Sequence, residues 1–268
     1  AWLAMNEKHP YARQTLDFAL LEDFDHLYRF ANLLDLDEQV PAENLVRKYV
    51  DIIPGRPTIA EHRYPFDSVR NPLDFKTADN QTKLNTLIII AAEQQTMNFY
   101  MNLGPYYYND LGRQLYQEIA MIEEQHVSHY GSLLDPKCTM LENLLLHEYV
   151  ECYLYYSFYQ DEVCPNVKSM WEMHFQQEIA HLHKAAELLS KFENKHWQQV
   201  IPDGRFPKLL QFQDTRDYVR KVLGEQILLT ANRENYVNVQ DLPTDHEYFF
   251  YQDRVNHDLN RVASHAVV

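Results

Sequence analysis

Four long amphipathic helical patterns follow one another at about 82–103, 109–134, 139–160 and 166–192, separated only by short breaks. The breaks are LGP at 103–105 with Asn109 or Asp110 as the next cap, DPKCT at 135–139, and DEVCPN at 161–166. Connections this short force consecutive helices to run antiparallel, so the segment is expected to form an up-and-down bundle. Composition agrees: 6 Gly against 39 Asp and Glu, with 46% hydrophobic residues, favours helices over a turn-rich β architecture. The expected fold class is all-α.

The flanks carry weaker patterns. Residues 12–35 predict an amphipathic helix with Leu16, Leu20, Phe24, Leu27, Ala31 and Leu34 on one face. Glu22, Asp25, His26 and Arg29 fall on the opposite side and are expected to form a solvated face, a second metal site being the weaker alternative. A shorter helix is expected at 42–52, ending at PGRP. The Pro-containing stretch to about residue 80 has no sustained period and predicts an ordered arm on the surface. A further helix is expected at 214–232, followed by an irregular tail. No low-complexity linker divides the 268 residues, which predicts one domain: a core at 82–192, an N-terminal helix and arm at 1–81, and a C-terminal helix and tail at 193–268.

Within the four central helices, ionisable residues stand at apolar positions. Glu-x-x-His occurs twice, as Glu123–His126 and Glu178–His181, and residues three apart on a helix share a face. The other two helices each place a Glu in an apolar stripe: Glu93 and Glu148. The spacing repeats, since 123 − 93 and 178 − 148 are both 30. Glu93/Glu148, Glu123/Glu178, His126/His181 and Tyr100/Tyr155 all differ by 55. Two hairpins related by a pseudo-twofold axis would bring four Glu and two His together. Such a set suits two divalent ions, because unpaired core carboxylates are costly while bridging carboxylates and terminal imidazoles are good ligands.

These residues resemble the ferritin-like di-metal carboxylate superfamily, which supplies a Glu from two helices and Glu-x-x-His from two others. The likeness is closest to rubrerythrin-type domains: EQQTMNFY at 93–100, EEQHVSHY at 123–130, HEYVECYLYY at 147–156 and EIAHLHKAAELL at 178–189 resemble their four ligand helices. It covers about residues 82–192 and implies a ferritin-like four-helix bundle. The metal ligands it implies are Glu93, Glu123, His126, Glu148, Glu178 and His181, holding two Fe ions or Mn in their place. Glu151 shares the stripe of Leu144, Glu148 and Tyr155, and is open between a seventh ligand and an acceptor behind the ligands. Tyr100 and Tyr155, each seven residues after a proposed ligand, are expected to pack with a hydroxyl near a ligand carboxylate, a redox role being the bolder alternative. Glu118 and Glu124 lie off the stripe and are expected at the surface, and His174 is expected to be a hydrogen-bonded core histidine.

A formal net charge of −15 argues against nucleic acid and anionic membranes as partners. LIIIAA at 87–92 is too short to span a bilayer. The beginning AWLAMNEKHPYARQ has no basic region followed by an apolar stretch, so no signal peptide is expected. Cys138, Cys152 and Cys164 form no CxxC pair, which excludes a rubredoxin-type module and fits a reducing cytoplasm. The expected function is therefore an oxidase, oxygenase or peroxidase, working on dioxygen or peroxide with a small organic substrate or on peroxide itself. The sequence names no electron donor, and a monomer or homodimer holding about two metals per chain would favour this function. The competing expectation is iron oxidation and storage, or metal sequestration, in an oligomeric shell.

Overall fold

The computed structural model describes residues 1–46, 48–52, 69–226 and 243–246, and every regular element among them is helical. In chain order these are α1 (Trp2–Asn6), α2 (Pro10–Glu38), α3 (Glu43–Val46), α4 (Asn80–Leu103), α5 (Asp110–Gly131), α6 (Met140–Asp161), α7 (Pro165–Glu193) and α8 (Arg216–Gln226). Single 3-10 turns stand at Gly104–Tyr106 and Trp197–Gln199. The helix expected at 42–52 is one turn, α3. The arm at 53–68, the end of the expected 214–232 helix beyond Gln226, and most of the tail lie outside the described residues. No described helix is long and apolar enough to cross a membrane.

The boundaries of the central helices follow from local chemistry. Asp79 accepts the Thr82 amide at 2.8 Å to open α4, and Asn109 accepts that of Gly112 at 2.8 Å to open α5. Thr139 and Glu142 form a reciprocal capping box on α6. Pro165 starts α7, where its missing N–H costs nothing, and Asn194 ends it in the left-handed region at φ 51°. The short breaks make α4/α5 and α6/α7 two antiparallel hairpins, which meet through α4 and α6, while α2 lies along α5.

The largest apolar cluster joins Ala12, Leu16 and Ala19 of α2 to Leu84, Ile88, Tyr130, Leu145, Leu146, Tyr149, Tyr153 and Leu189. The segment after α7 is laced to α6: the Tyr149 and Tyr153 hydroxyls donate to the carbonyls of Arg205 and Lys208 at 3.0 and 2.6 Å. Buried Glu7, at the turn between α1 and α2, accepts from Thr82 Oγ1 at 2.6 Å and Asn85 Nδ2 at 2.8 Å, fixing the start of α2 on α4.

Helix α2 is buried on more than one side, which corrects the expectation of a solvated charged face. Leu20, Leu21 and Phe24 pack with Val219, Val222 and Leu223 of α8. Glu22, Asp25 and His26 are buried as well, and His26 reaches Glu123 and Glu22 reaches His126, both on α5. Arg29 is partly exposed and donates to Glu118 at 2.6 Å, so Glu118 is a half-buried ion-pair partner rather than a free surface residue. A single-face amphipathic pattern presumes one buried side; a helix between two layers breaks that presumption. Glu124 is exposed, as expected.

Truncation of a core side chain tests this packing. Leu84→Ala, at a fully buried position on α4, is expected to cost about 2–5 kcal/mol in urea unfolding, from lost burial and a residual cavity. Leu45→Ala, at an exposed position, is expected to stay within about 0.5 kcal/mol of wild type. Equal effects would contradict the packing described.

Candidate metal centre

The first predicted half-site lies on α4 and α5. His126 is fully buried, and its two ring nitrogens face carboxylates on opposite sides. Nδ1 stands 3.0 Å from Glu123 Oε2, 3.4 Å from Glu93 Oε2 and 3.6 Å from Asp23 Oδ1. Nε2 stands 2.5 Å from Glu22 Oε2. Asp23, Glu93, Glu123 and His126 each offer a ligand atom within 4.8 Å of the others. The other oxygen of Glu123 faces His26 Nδ1 at 3.0 Å, and the His26 and His126 rings lie 5.9 Å apart, stacked at 30°.

The second predicted half-site lies on α6 and α7 and repeats this relation. His181 Nδ1 stands 2.9 Å from Glu178 Oε2 and 3.8 Å from Glu148 Oε2. The three residues form a second donor group within 4.8 Å. The environment differs, because the His181 side chain is 60% exposed where His126 is sealed. The structure therefore collects the six predicted ligands into two sets, one buried and one open.

Glu151 stands outside both sets. It is half-buried beside Tyr155, whose hydroxyl is pushed up to about 12 by burial and by the Glu151 carboxylate to which it hydrogen-bonds. The Tyr155 ring packs on Trp171 and His174 at 5.8 and 5.4 Å. Tyr100 packs on Phe30 and Tyr116 at 5.0 and 5.7 Å, and burial together with the charge of Glu123 raises its hydroxyl well above the ordinary value. His174 is a half-buried ring-packing residue.

The buried donors fit a cation by chemistry and by spacing. Two donors about 2.1 Å from one ion stand about 3.0 Å apart at a right angle and about 3.4 Å apart at the tetrahedral angle. The contacts at His126 Nδ1, from 3.0 to 3.6 Å, span that range. Glu22 holds Nε2 and so fixes which nitrogen faces the carboxylates, as acceptors behind metal-bound histidines do. Without a cation, protons balance the charge. Burial drives Glu93 well above the ordinary carboxylate range, helped by the charge of Asp23. Burial opposes the charge on both His126 and Glu123, but the hydrogen bonds that His126 donates to Glu123, Glu22 and Glu93, and that His26 donates to Glu123, raise the histidine and lower the Glu123 carboxylate.

The sequence pattern assigns Glu22 and His26 to a solvated face, with a second metal site as the weaker alternative, and does not single out Asp23, because Leu16, Leu20 and Phe24 mark the other face of their helix as the buried one. A signal was present: Asp23-Phe24-Asp25-His26 spaces acid and imidazole as the two Glu-x-x-His motifs do. No family model, curated protein or solved structure matches the chain.

Metal uptake must displace the His126 Nδ1 proton, so binding is expected to release protons and to weaken as pH falls, about tenfold per pH unit for each proton displaced. Manganese titrations at pH 6.5 and 7.5 check this. Equal affinity at both would contradict an imidazolium held in place by carboxylates.

Proposed function

We propose that this chain is a non-haem oxidoreductase that holds two iron or manganese ions on carboxylate and imidazole ligands and reacts with dioxygen or peroxide. In this reading its four central helices form a ferritin-like unit. The observation that carries the reading is the sealed cluster in which Asp23, Glu93, Glu123 and His126 each offer a ligand atom within 4.8 Å of the others, and the two hairpins also repeat one relation. In each, a histidine Nδ1 faces the Glu three residues before it, at 3.0 and 2.9 Å, and the matching Glu of the preceding helix, at 3.4 and 3.8 Å. A chance pair of solvated helix faces has no reason to repeat both contacts with the same atoms.

Held by Glu93, Glu123 and His126, a pair of redox-active ions would supply the two electrons that reduction of dioxygen or peroxide needs. The chain's own residues do the rest. Glu22 orients His126, and Glu93 and Glu123 place negative charge where the ions sit. Tyr100 and Tyr155, whose hydroxyls are held protonated by burial and neighbouring carboxylates, serve this reading as hydrogen-bond donors, Tyr155 to the Glu151 carboxylate. The electron donor and the compartment, for which three free cysteines suggest a reducing cytoplasm, are parts of the same proposal.

A pocket of about 320 Å³ favours a small organic substrate over storage alone. Phe30, Leu33, Leu34, Tyr100, Tyr107 and Tyr116 line it, and Tyr100 lies within the electrostatic reach of Glu93, Asp23 and Glu123. An aromatic, mostly apolar wall beside buried carboxylates suits a small apolar or aromatic molecule.

Anaerobic loading with ferrous iron, followed by exposure to dioxygen or peroxide, tests the reading. About two irons per chain, oxidised together with stoichiometric oxidant consumption, are expected from a monomer or homodimer. A large hollow oligomer accumulating many irons per chain would favour the storage reading. One tightly held zinc with no response to either oxidant would refute both.

A further inference from the structure

We propose, building on the dinuclear reading above, that both ions of the pair sit in the buried α2/α4/α5 cluster, with His26 of the N-terminal helix as the nitrogen ligand of the second ion and Glu123 spanning the two.

The geometry is that of a bridging carboxylate. Glu123 presents Oε2 to His126 Nδ1 and Oε1 to His26 Nδ1, each at 3.0 Å. Each nitrogen–oxygen pair is thus spaced as two neighbouring ligands of one ion about 2.1 Å from each. The stacked rings, 5.9 Å apart, put one imidazole on either side of the shared carboxylate. Glu93 contacts both His126 and Glu123, so it faces the same space, and Asp23 completes the donors around His126 Nδ1.

Burial and charge point the same way. His26 is only 4% exposed, and its Nε2 is buried with no hydrogen-bond partner among the described residues. The unpartnered nitrogen is not the one that faces Glu123, so the ligand atom that His26 offers to an ion is Nδ1. Glu22, Asp23, Glu93 and Glu123 bring four carboxylates to the two imidazoles, and two divalent cations would cancel four negative charges where one would leave two. Asp25 is not part of this balance, because Arg29 lies 3.8 Å from its carboxylate.

The open set on α6 and α7 is then a separate feature. Glu148, Glu178 and His181 supply two carboxylates and one imidazole, with the imidazole in solvent. The dinuclear centre therefore depends on residues 22–26 of the chain as much as on the Glu123–His126 motif, and not on Glu178 and His181.

Manganese is the probe. The full chain and its His26→Gln and His181→Ala variants would be loaded with Mn(II), desalted and analysed for metal content. Electron paramagnetic resonance would report whether the ions form an exchange-coupled pair, and far-ultraviolet circular dichroism would confirm helicity. Wild type is expected to show the coupled pair. His26→Gln should lose it, holding one ion fewer with at least tenfold weaker affinity for the second. His181→Ala should keep the coupled signal with affinity within about twofold. Retention of the pair in His26→Gln, or its loss in His181→Ala, would overturn the proposal while leaving the dinuclear reading standing. Absence of any coupled pair in wild type would refute that reading and this proposal with it. If His26→Gln fails to fold, His26→Ala takes its place and is expected to lose the pair in the same way, while His181→Ala still checks that the α6/α7 set is not needed.

Discussion

A fully buried histidine held between carboxylates is the interaction on which the rest of this structure depends. His126 has Glu22 on one ring nitrogen and Glu123, Glu93 and Asp23 around the other. Charge taken out of water is tolerated only when it is matched and hydrogen-bonded, and removal of one member leaves the others uncompensated. Three helices must therefore keep fixed positions: α2 for Glu22 and Asp23, α4 for Glu93, and α5 for Glu123 and His126. The apolar contacts of Leu33 with Leu115 and Ile119, and those of Ala12 and Leu16 within the larger core, hold α2 in the register that this cluster requires.

Much of the helical architecture was legible in the sequence, for reasons visible in particular residues. Asp79, Asn109, Thr139 and Pro165 mark helix starts by supplying or sparing hydrogen bonds at orphan amides, so the four central helices begin within a few residues of their expected positions. The sequence pattern also grouped each Glu-x-x-His with the Glu 30 residues earlier, and the structure gathers those same residues on each hairpin. It could not show what covers the first hairpin. Hydrophobic periodicity on α2 pointed to Leu16, Leu20 and Phe24, and no local rule says that the polar side of that helix is also buried. Burial of Glu22 and His26 is a long-range property, created by partners about a hundred residues away.

The two hairpins share a motif and differ in environment. On α4/α5, burial makes the carboxylates and histidines interdependent, and the spacing between them fits ions as well as protons. On α6/α7, solvent screens the same residue types, and α7 buries only Ala185 and Leu189 of its own side chains. A charged contact in solvent is weak and adjustable, whereas the same contact in a sealed core fixes geometry. The same duplicated pattern therefore produces a rigid centre in one place and an open group of donors in the other.

Anomalous diffraction from a crystal of the manganese-loaded chain tests the central claim most directly, because it locates ions without reference to activity. Two peaks are expected beside Glu123, one bounded by His126, Glu93 and Asp23 and the other by His26. An empty α2/α4/α5 cluster, with peaks only at Glu148, Glu178 and His181, would contradict it.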